Sequence, residues 1–265
     1  MNICRAYARV PHGQLHYAEC GDAAAPAVLL LHQSPRSWAE YHAVLPLLGA
    51  RYRAIAMDTA GFGASDPLPG APSIEVWAGA AVQLLDALGL ARAHVVGHHT
   101  GGVIAAELAA RHGDRVGALV LSSTPFTDAA FRRARAARPP IDAVEFSADG
   151  AHLAALWRQR HAFYPADRPD LLHAFVLDAL KVHDVEAGHR AVAAYRIEDR
   201  IASIRQPTLL ICASDDPFAA PHAAEWLAHL PQAKVVDIAG GMVPLPDQLP
   251  QAFADAVLHF LDAQR

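Results

Sequence analysis

The 265-residue chain has few cysteines, no long apolar run and no excess of positive charge. Its three cysteines, Cys4, Cys20 and Cys212, stand far apart without a CxxC pair, which points away from a disulfide framework and from a cysteine-built zinc site. Residues AVILMFWYC make up 53% of the chain, yet no uninterrupted stretch approaches the roughly 20 apolar residues a spanning helix needs, so no membrane partner is expected. A formal net charge of -5 lacks the basic footprint that a nucleic-acid partner would require. The opening Met1-Asn2-Ile3-Cys4-Arg5 has no apolar core and no small-residue cleavage site, which gives a cytoplasmic expectation. No phosphate loop or dinucleotide fingerprint is present: Gly61 and Gly63 follow a strand-like run but lack the ribose-binding acidic context, so no cofactor is expected. Histidine is plentiful, with 16 in all.

What remains is the rhythm of an α/β protein. Ile3–Val10 and Gln14–Cys20 alternate mildly around Pro11-His12-Gly13 and predict an opening hairpin. Continuous apolar runs at Pro26–His32, Arg53–Asp58, Ala93–His98, Arg115–Ser122, Thr208–Cys212 and Lys234–Ala239 predict strands, several of them buried on both faces. Helices are predicted from Trp38 to Leu48 behind a Ser37 cap, from Ser73 to Leu88 ending at Gly89, and after the third of these strands. Two more are predicted from Pro221 to Leu230 and from Leu249 to Leu261. Strands and helices alternating in this way imply a doubly wound, mostly parallel sheet. From Phe126 to about Ile204 no strand-like run occurs, so the expected organisation is a core of residues 1–125 and 205–265 with a helical cap at 126–204.

The stretch His94-Val95-Val96-Gly97-His98-His99-Thr100-Gly101-Gly102 organises the rest. A buried strand, a glycine-framed turn and a helix make up the nucleophile-elbow pattern Gly-x-Ser-x-Gly, in which the middle side chain stands exposed above the sheet. Here the middle residue is His99. With Leu30-Leu31-His32-Gln33-Ser34-Pro35, Met57-Asp58-Thr59-Ala60-Gly61-Phe62-Gly63-Ala64-Ser65 and Ala213-Ser214-Asp215-Asp216, the chain resembles the α/β-hydrolase superfamily over nearly its whole length. The resemblance implies an oxyanion loop at 32–35 and an acid at Asp216, and it implies an elbow serine and a late histidine that this sequence lacks. His99 stands at the first position and Gly241 at the second.

Imidazole is longer than a serine side chain, so His99 is expected to project into space left by Gly241 and reach Asp216. A carboxylate on one ring nitrogen fixes the tautomer and leaves the other free to activate water or remove a substrate proton. The amides of Ser34 and Thr100 are the expected oxyanion donors. The expected partner is a small carbonyl compound, an ester, lactone or cleavable C–C bond; a direct attack by His99 giving an acyl-imidazole is a variant. A lyase or isomerase using the same base, and a noncatalytic ligand-binding protein, remain open alternatives. Around this dyad, His32, Gln33 and Arg36 are candidate substrate contacts, Gln33 through its amide and Arg36 as a carboxylate clamp or else a solvated loop charge. Trp157, His161, Phe163, Tyr164 and His183 are candidate roof residues, whereas His98 is expected to be a satisfied core histidine. Adjacent His98 and His99 lack metal-ligand spacing, so no metal is expected. The sequence leaves the oligomeric state open.

Overall fold

The computed structural model describes residues 2–218 and 222–264. Strands β1 (Cys4–Val10), β2 (Gly13–Cys20), β3 (Ala27–Leu31), β4 (Arg53–Met57), β5 (Ala93–His98), β6 (Val116–Ser122), β7 (Thr208–Ala213) and β8 (Lys234–Ile238) form one sheet in the order β1-β2-β4-β3-β5-β6-β7-β8. The hairpin and its junction to β4 are antiparallel, and every pair from β4 to β8 is parallel. The helices are α1 (Val44–Gly49), α2 (Ile74–Ala87), α3 (Thr100–Arg111), α4 (Ala129–Ala136), α5 (Ala151–His161), α6 (Pro169–Ala179), α7 (Ala187–Ala194), α8 (Ala223–His229), α9 (Leu245–Gln248) and α10 (Pro250–Asp262).

Side-chain alternation explains why β3 reads as a solid apolar run. Ala27, Leu29 and Leu31 belong to the core beneath α2 and α3, and Val28 and Leu30 to the core beneath α1 and α10. Both faces of the strand are covered, so neither needs a polar residue. Residues between β6 and β7 contain α4 to α7 and no strand among the described residues. Within this helical segment, Leu156, Tyr164, Leu171, Leu172, Phe175 and Ala179 form a satellite core of their own, while Ala187, Ala191, Val192, Tyr195 and Ile197 join the main core.

Two predicted elements change. The single helix expected at 38–48 is a short turn of 3-10 helix at Trp38–Tyr41 followed by α1. Pro46 supplies the reason: inside a continuous helix it would lack an amide and collide with the preceding turn, but in α1 it falls within the first turn, where no donor is required. The start of the helix expected at Pro221 lies outside the described residues, and α8 is described from Ala223. The caps at Ser37 and Ser73 form, their hydroxyls accepting from the amides of Ala39 at 3.3 Å and Val76 at 3.2 Å.

Candidate active site

The C-terminal ends of parallel strands are where open α/β sheets place their ligands, and here β3, β5 and β7 deliver His32, His99 and Asp216 to that edge. His99 has φ 48° and ψ -114°, a left-handed conformation that strains any residue other than glycine. The turn is enforced by its glycines. A Cβ on Gly97 would stand 2.2 Å from the Gly101 carbonyl oxygen, and one on Gly101 would stand 2.0 Å from that of Leu31. Strand and helix therefore meet closer than any side chain permits.

His99 Nε2 lies 2.7 Å from Asp216 Oδ2. Asp216 is buried, and its other oxygen accepts the Phe218 amide at 2.9 Å. Burial alone would raise its carboxyl; the charge and hydrogen bond of His99, with the Phe218 amide, outweigh this and hold it below the ordinary carboxylate value. An ionised acceptor requires the proton on Nε2, which leaves the Nδ1 lone pair of neutral His99 for chemistry. His98 packs edge-on against His99 with ring centres 4.6 Å apart, bonding Ser122 Oγ at 3.0 Å and accepting no solvent. Its Nε2 donates to the Val243 carbonyl at 2.8 Å. Burial and the neighbouring His99 push the His98 imidazole down to about 3, so it stays neutral as the core histidine its position suggests.

The loop after β3 is more heavily engaged than its sequence shows. Ser34 is buried and joined to Pro35 by a cis peptide bond. On its far side sits Gly188 of α7, where a Cβ would fall 2.1 Å from Ser34 Oγ. Thr100 opens α3, so its amide is among the first-turn donors that no helical carbonyl can reach.

Gln33 requires correction as a substrate donor: its side-chain nitrogen donates to Glu40 Oε1 at 2.5 Å and reaches the Val243 carbonyl at 3.5 Å, and its amide donates to Glu40 Oε2 at 2.9 Å. The fully buried Glu40 carboxylate demands those donors. Arg36 is neither a solvated charge nor a free clamp. It is 1% exposed and faces Asp178, Asp247 and Glu40, so its positive charge is already outnumbered by anions of the fold. His32 is likewise corrected: Nε2 accepts the Thr59 amide at 2.9 Å and Nδ1 donates to the Gln33 carbonyl at 2.7 Å, leaving no ring nitrogen for substrate. Burial holds it below the ordinary imidazole value.

Of the roof candidates, Tyr164 is buried in the satellite core. Trp157 packs on the satellite core, and His161 and His183 are exposed. Phe163 packs against Phe218 at 4.7 Å, beside Asp216, and Phe131 of α4 packs against His222 at 5.6 Å. Burial keeps His222 below the ordinary imidazole value against the pull of Glu225, Asp128 and Asp216. Nothing in the spacing of the sequence singled out His222, Glu40 or Gly188. Gly241 also differs from expectation. The space beside it is narrowed, since a Cβ there would meet Leu245 Cδ1 at 2.8 Å and Ala213 Cβ at 3.1 Å.

Among the described residues, three potential metal-ligating groups converge at Asp142, Glu186 and His189. Arg160 donates to both Asp142 oxygens at 2.5 Å, His189 Nε2 lies 2.7 Å from Asp142 Oδ2, and one Glu186 oxygen accepts the amides of Ile141, Asp142 and Ala143. Arg160 thus fills the place of a cation, and the set reads as a structural tie within the helical segment.

The fold agrees with what other proteins show. Residues 26–243 match the model of the alpha/beta hydrolase fold family. A 2-hydroxy-6-oxononadienedioate/2-hydroxy-6-oxononatrienedioate hydrolase of Dechloromonas aromatica is 39% identical over 112 residues, 41% of this chain and 39% of that protein. Epoxide hydrolase 3 of Xenopus tropicalis is 35% identical over 122 residues, 44% of this chain and 32% of that protein. Matches to these curated relatives thus span well under half of their lengths. The crystal structure of an enol-lactonase from Burkholderia xenovorans LB400 superimposes with a TM-score of 0.79 at 25% identity, covering 97% of this chain and 100% of that one. The chain belongs to the alpha/beta hydrolase fold family.

Proposed function

We propose that the protein hydrolyses a small carbonyl compound, an ester, lactone or C–C bond flanked by a carbonyl, by general-base catalysis from His99. The observation that carries this reading is the 2.7 Å contact between His99 Nε2 and the buried Asp216 carboxylate, at the turn where the fold presents its reactive side chain. Asp216 holds the ring and stabilises the imidazolium that forms when Nδ1 takes a proton from water. Hydroxide from that water adds to the carbonyl carbon, and the amides of Ser34 and Thr100 receive the negative oxygen. Collapse of the adduct expels the leaving group, which takes the proton back from Nδ1. Residues 126–204 act as the cap over this site, a role supported by the packing of Gly188 on Ser34 and of Phe163 on Phe218.

Hydrolysis ranks ahead of lyase or isomerase chemistry because the similar proteins carry hydrolase names, including a lactonase and an oxo-acid hydrolase. A panel of small esters, enol-lactones and oxo-acids, turned over by the wild type and by His99→Ala, tests it. General-base catalysis contributes about 100- to 10,000-fold, and the variant is expected to lose that factor. Turnover unchanged in His99→Ala would overturn the role of His99. Deuterium exchange into a carbon acid without hydrolysis of any panel member would move the site to the lyase or isomerase class.

A further inference from the structure

The Arg36 guanidinium sits where three segments meet. Nε donates to Asp178 Oδ2 of α6 at 3.1 Å, Nη2 lies 2.8 Å from Asp247 Oδ2 of α9, and Nη1 lies 4.0 Å from Glu40 Oε1 in the turn after the Ser34 loop. Ser37 donates its hydroxyl to the same Asp178 oxygen at 3.0 Å. Glu40 in turn grips Gln33, the residue before Ser34, by backbone and side chain. One buried cation thus faces three carboxylates. Lys181 reaches Asp178 Oδ1 at 3.6 Å, but from an exposed position where water screens it.

The other titratable groups around the cluster add no second buried positive charge. Burial keeps the Tyr164 and Tyr41 hydroxyls above their ordinary values and His32 below its own, so all three are neutral near pH 7. Arg168 is exposed, and the influence of His99 on Glu40 is small beside that of Arg36 and Gln33. Arg36 Nη1 and the Tyr164 hydroxyl are buried without a hydrogen-bond partner, so the surroundings do not disperse the excess negative charge. Such a cluster gains by binding a proton.

We propose that Arg36, Glu40, Asp178 and Asp247 form a proton-operated clamp, which when protonated fastens α6 of the helical segment and α9 to the loop carrying Ser34, and which loosens when the proton leaves. Asp247 titrates within it: burial pushes it up to about 6 against the pull of Arg36, with Glu40 and Asp178 adding to the rise, and burial raises Glu40 as well against the pull of Arg36 and Gln33. Its ordinary value is 3.8, so the fold favours its protonated form, and the stabilisation is complete below that value and lost as pH rises to about 6. The clamp is tighter at about pH 5 than at about pH 7.5.

The clamp stands apart from the proposed role of the Ser34 amide, and its test reads no activity. Amide hydrogen exchange of the full chain is followed by mass spectrometry at about pH 5 and about pH 7.5, corrected for the chemical pH dependence of exchange, in the wild type and in Asp247→Asn. Peptides covering α6 are expected to exchange about 10-fold faster at the higher pH in the wild type, while α2 stays unchanged; Asp247→Asn is expected to keep α6 slow at both. Equal corrected exchange of wild-type α6 at the two pH values would overturn the proposal, and that comparison needs no variant to fold. Folded Asp247→Asn exchanging as fast as wild type at the higher pH would overturn it too.

Discussion

An imidazole at the turn between β5 and α3 differs from a hydroxyl in reach as well as in basicity. His99 reaches Asp216 directly at 2.7 Å, and in the proposed mechanism this one side chain serves in place of a separate histidine. Asp216→Asn preserves shape but removes the charge that fixes the Nε2 proton, and hydrolysis is expected to fall by about 100-fold or more at unchanged fold, measured as kcat/KM beside a urea unfolding curve. Gly101→Ala acts through the backbone instead. Its Cβ would overlap the Leu31 carbonyl, and urea unfolding should show a loss of about 3 kcal/mol. Both residues were legible in the sequence because the elbow and the acid loop are local patterns with fixed spacing. The partners of Arg36 were not, since Asp178 lies 142 positions along the chain and nothing local marks a carboxylate that will be buried.

Elements were legible where burial is uniform and obscure where a proline or a long-range contact decides. Buried strands reveal themselves as apolar runs because both faces are covered, and α2 carries its boundaries in Ser73 and Gly89. Ser73→Ala should cost about 1 kcal/mol in urea unfolding, by leaving the Val76 amide without its cap. The break between the Trp38–Tyr41 turn and α1 depends on where Pro46 falls within a turn, which periodicity alone does not resolve. Helix α9, four residues long, has too few positions to show a period at all. The approach of α7 to the Ser34 loop is likewise invisible in sequence, because a helical glycine has many explanations. Gly188→Ala would drive a methyl into Ser34, and the expected result is a loss of about 1–3 kcal/mol in stability together with a fall in kcat/KM larger than any change in KM.

Over the whole molecule, buried carboxylates divide into two groups with opposite pH signatures. Asp58, Asp142 and Asp216 are buried too, but their partners hold them below 3.8: His16 and the Trp38 and Ala64 amides for Asp58, Arg160 and His189 for Asp142, His99 for Asp216. A depressed carboxylate stabilises the fold above its unfolded value, and that stabilisation is lost as pH falls through the folded one. Urea unfolding is therefore expected to show stability declining below about pH 4. Asp247 acts the other way between 3.8 and about 6, and Glu40 is raised as well. His98, held at about 3, and His32 and His222, held below 6.5, make stability rise with pH over the same interval. The expected reading is therefore a difference: from about pH 4 to about pH 6 the wild type gains less stability than Asp247→Asn. Charge balance along the sequence spoke only against a nucleic-acid partner and carried nothing of this division, because burial, and not residue type, sets the sign. The family fold was written in four short motifs, whereas the placement of the helical segment over them is a matter of packing between distant residues.

The most direct measurement is the 15N spectrum of the His99 imidazole in the resting protein, taken where the ring is neutral. The account predicts the tautomer protonated at Nε2, with that proton shifted downfield by Asp216 and Nδ1 bare, and predicts that Asp216→Asn abolishes the preference. A ring protonated at Nδ1, or a tautomer indifferent to Asp216→Asn, would contradict a base held ready by the Asp216 carboxylate.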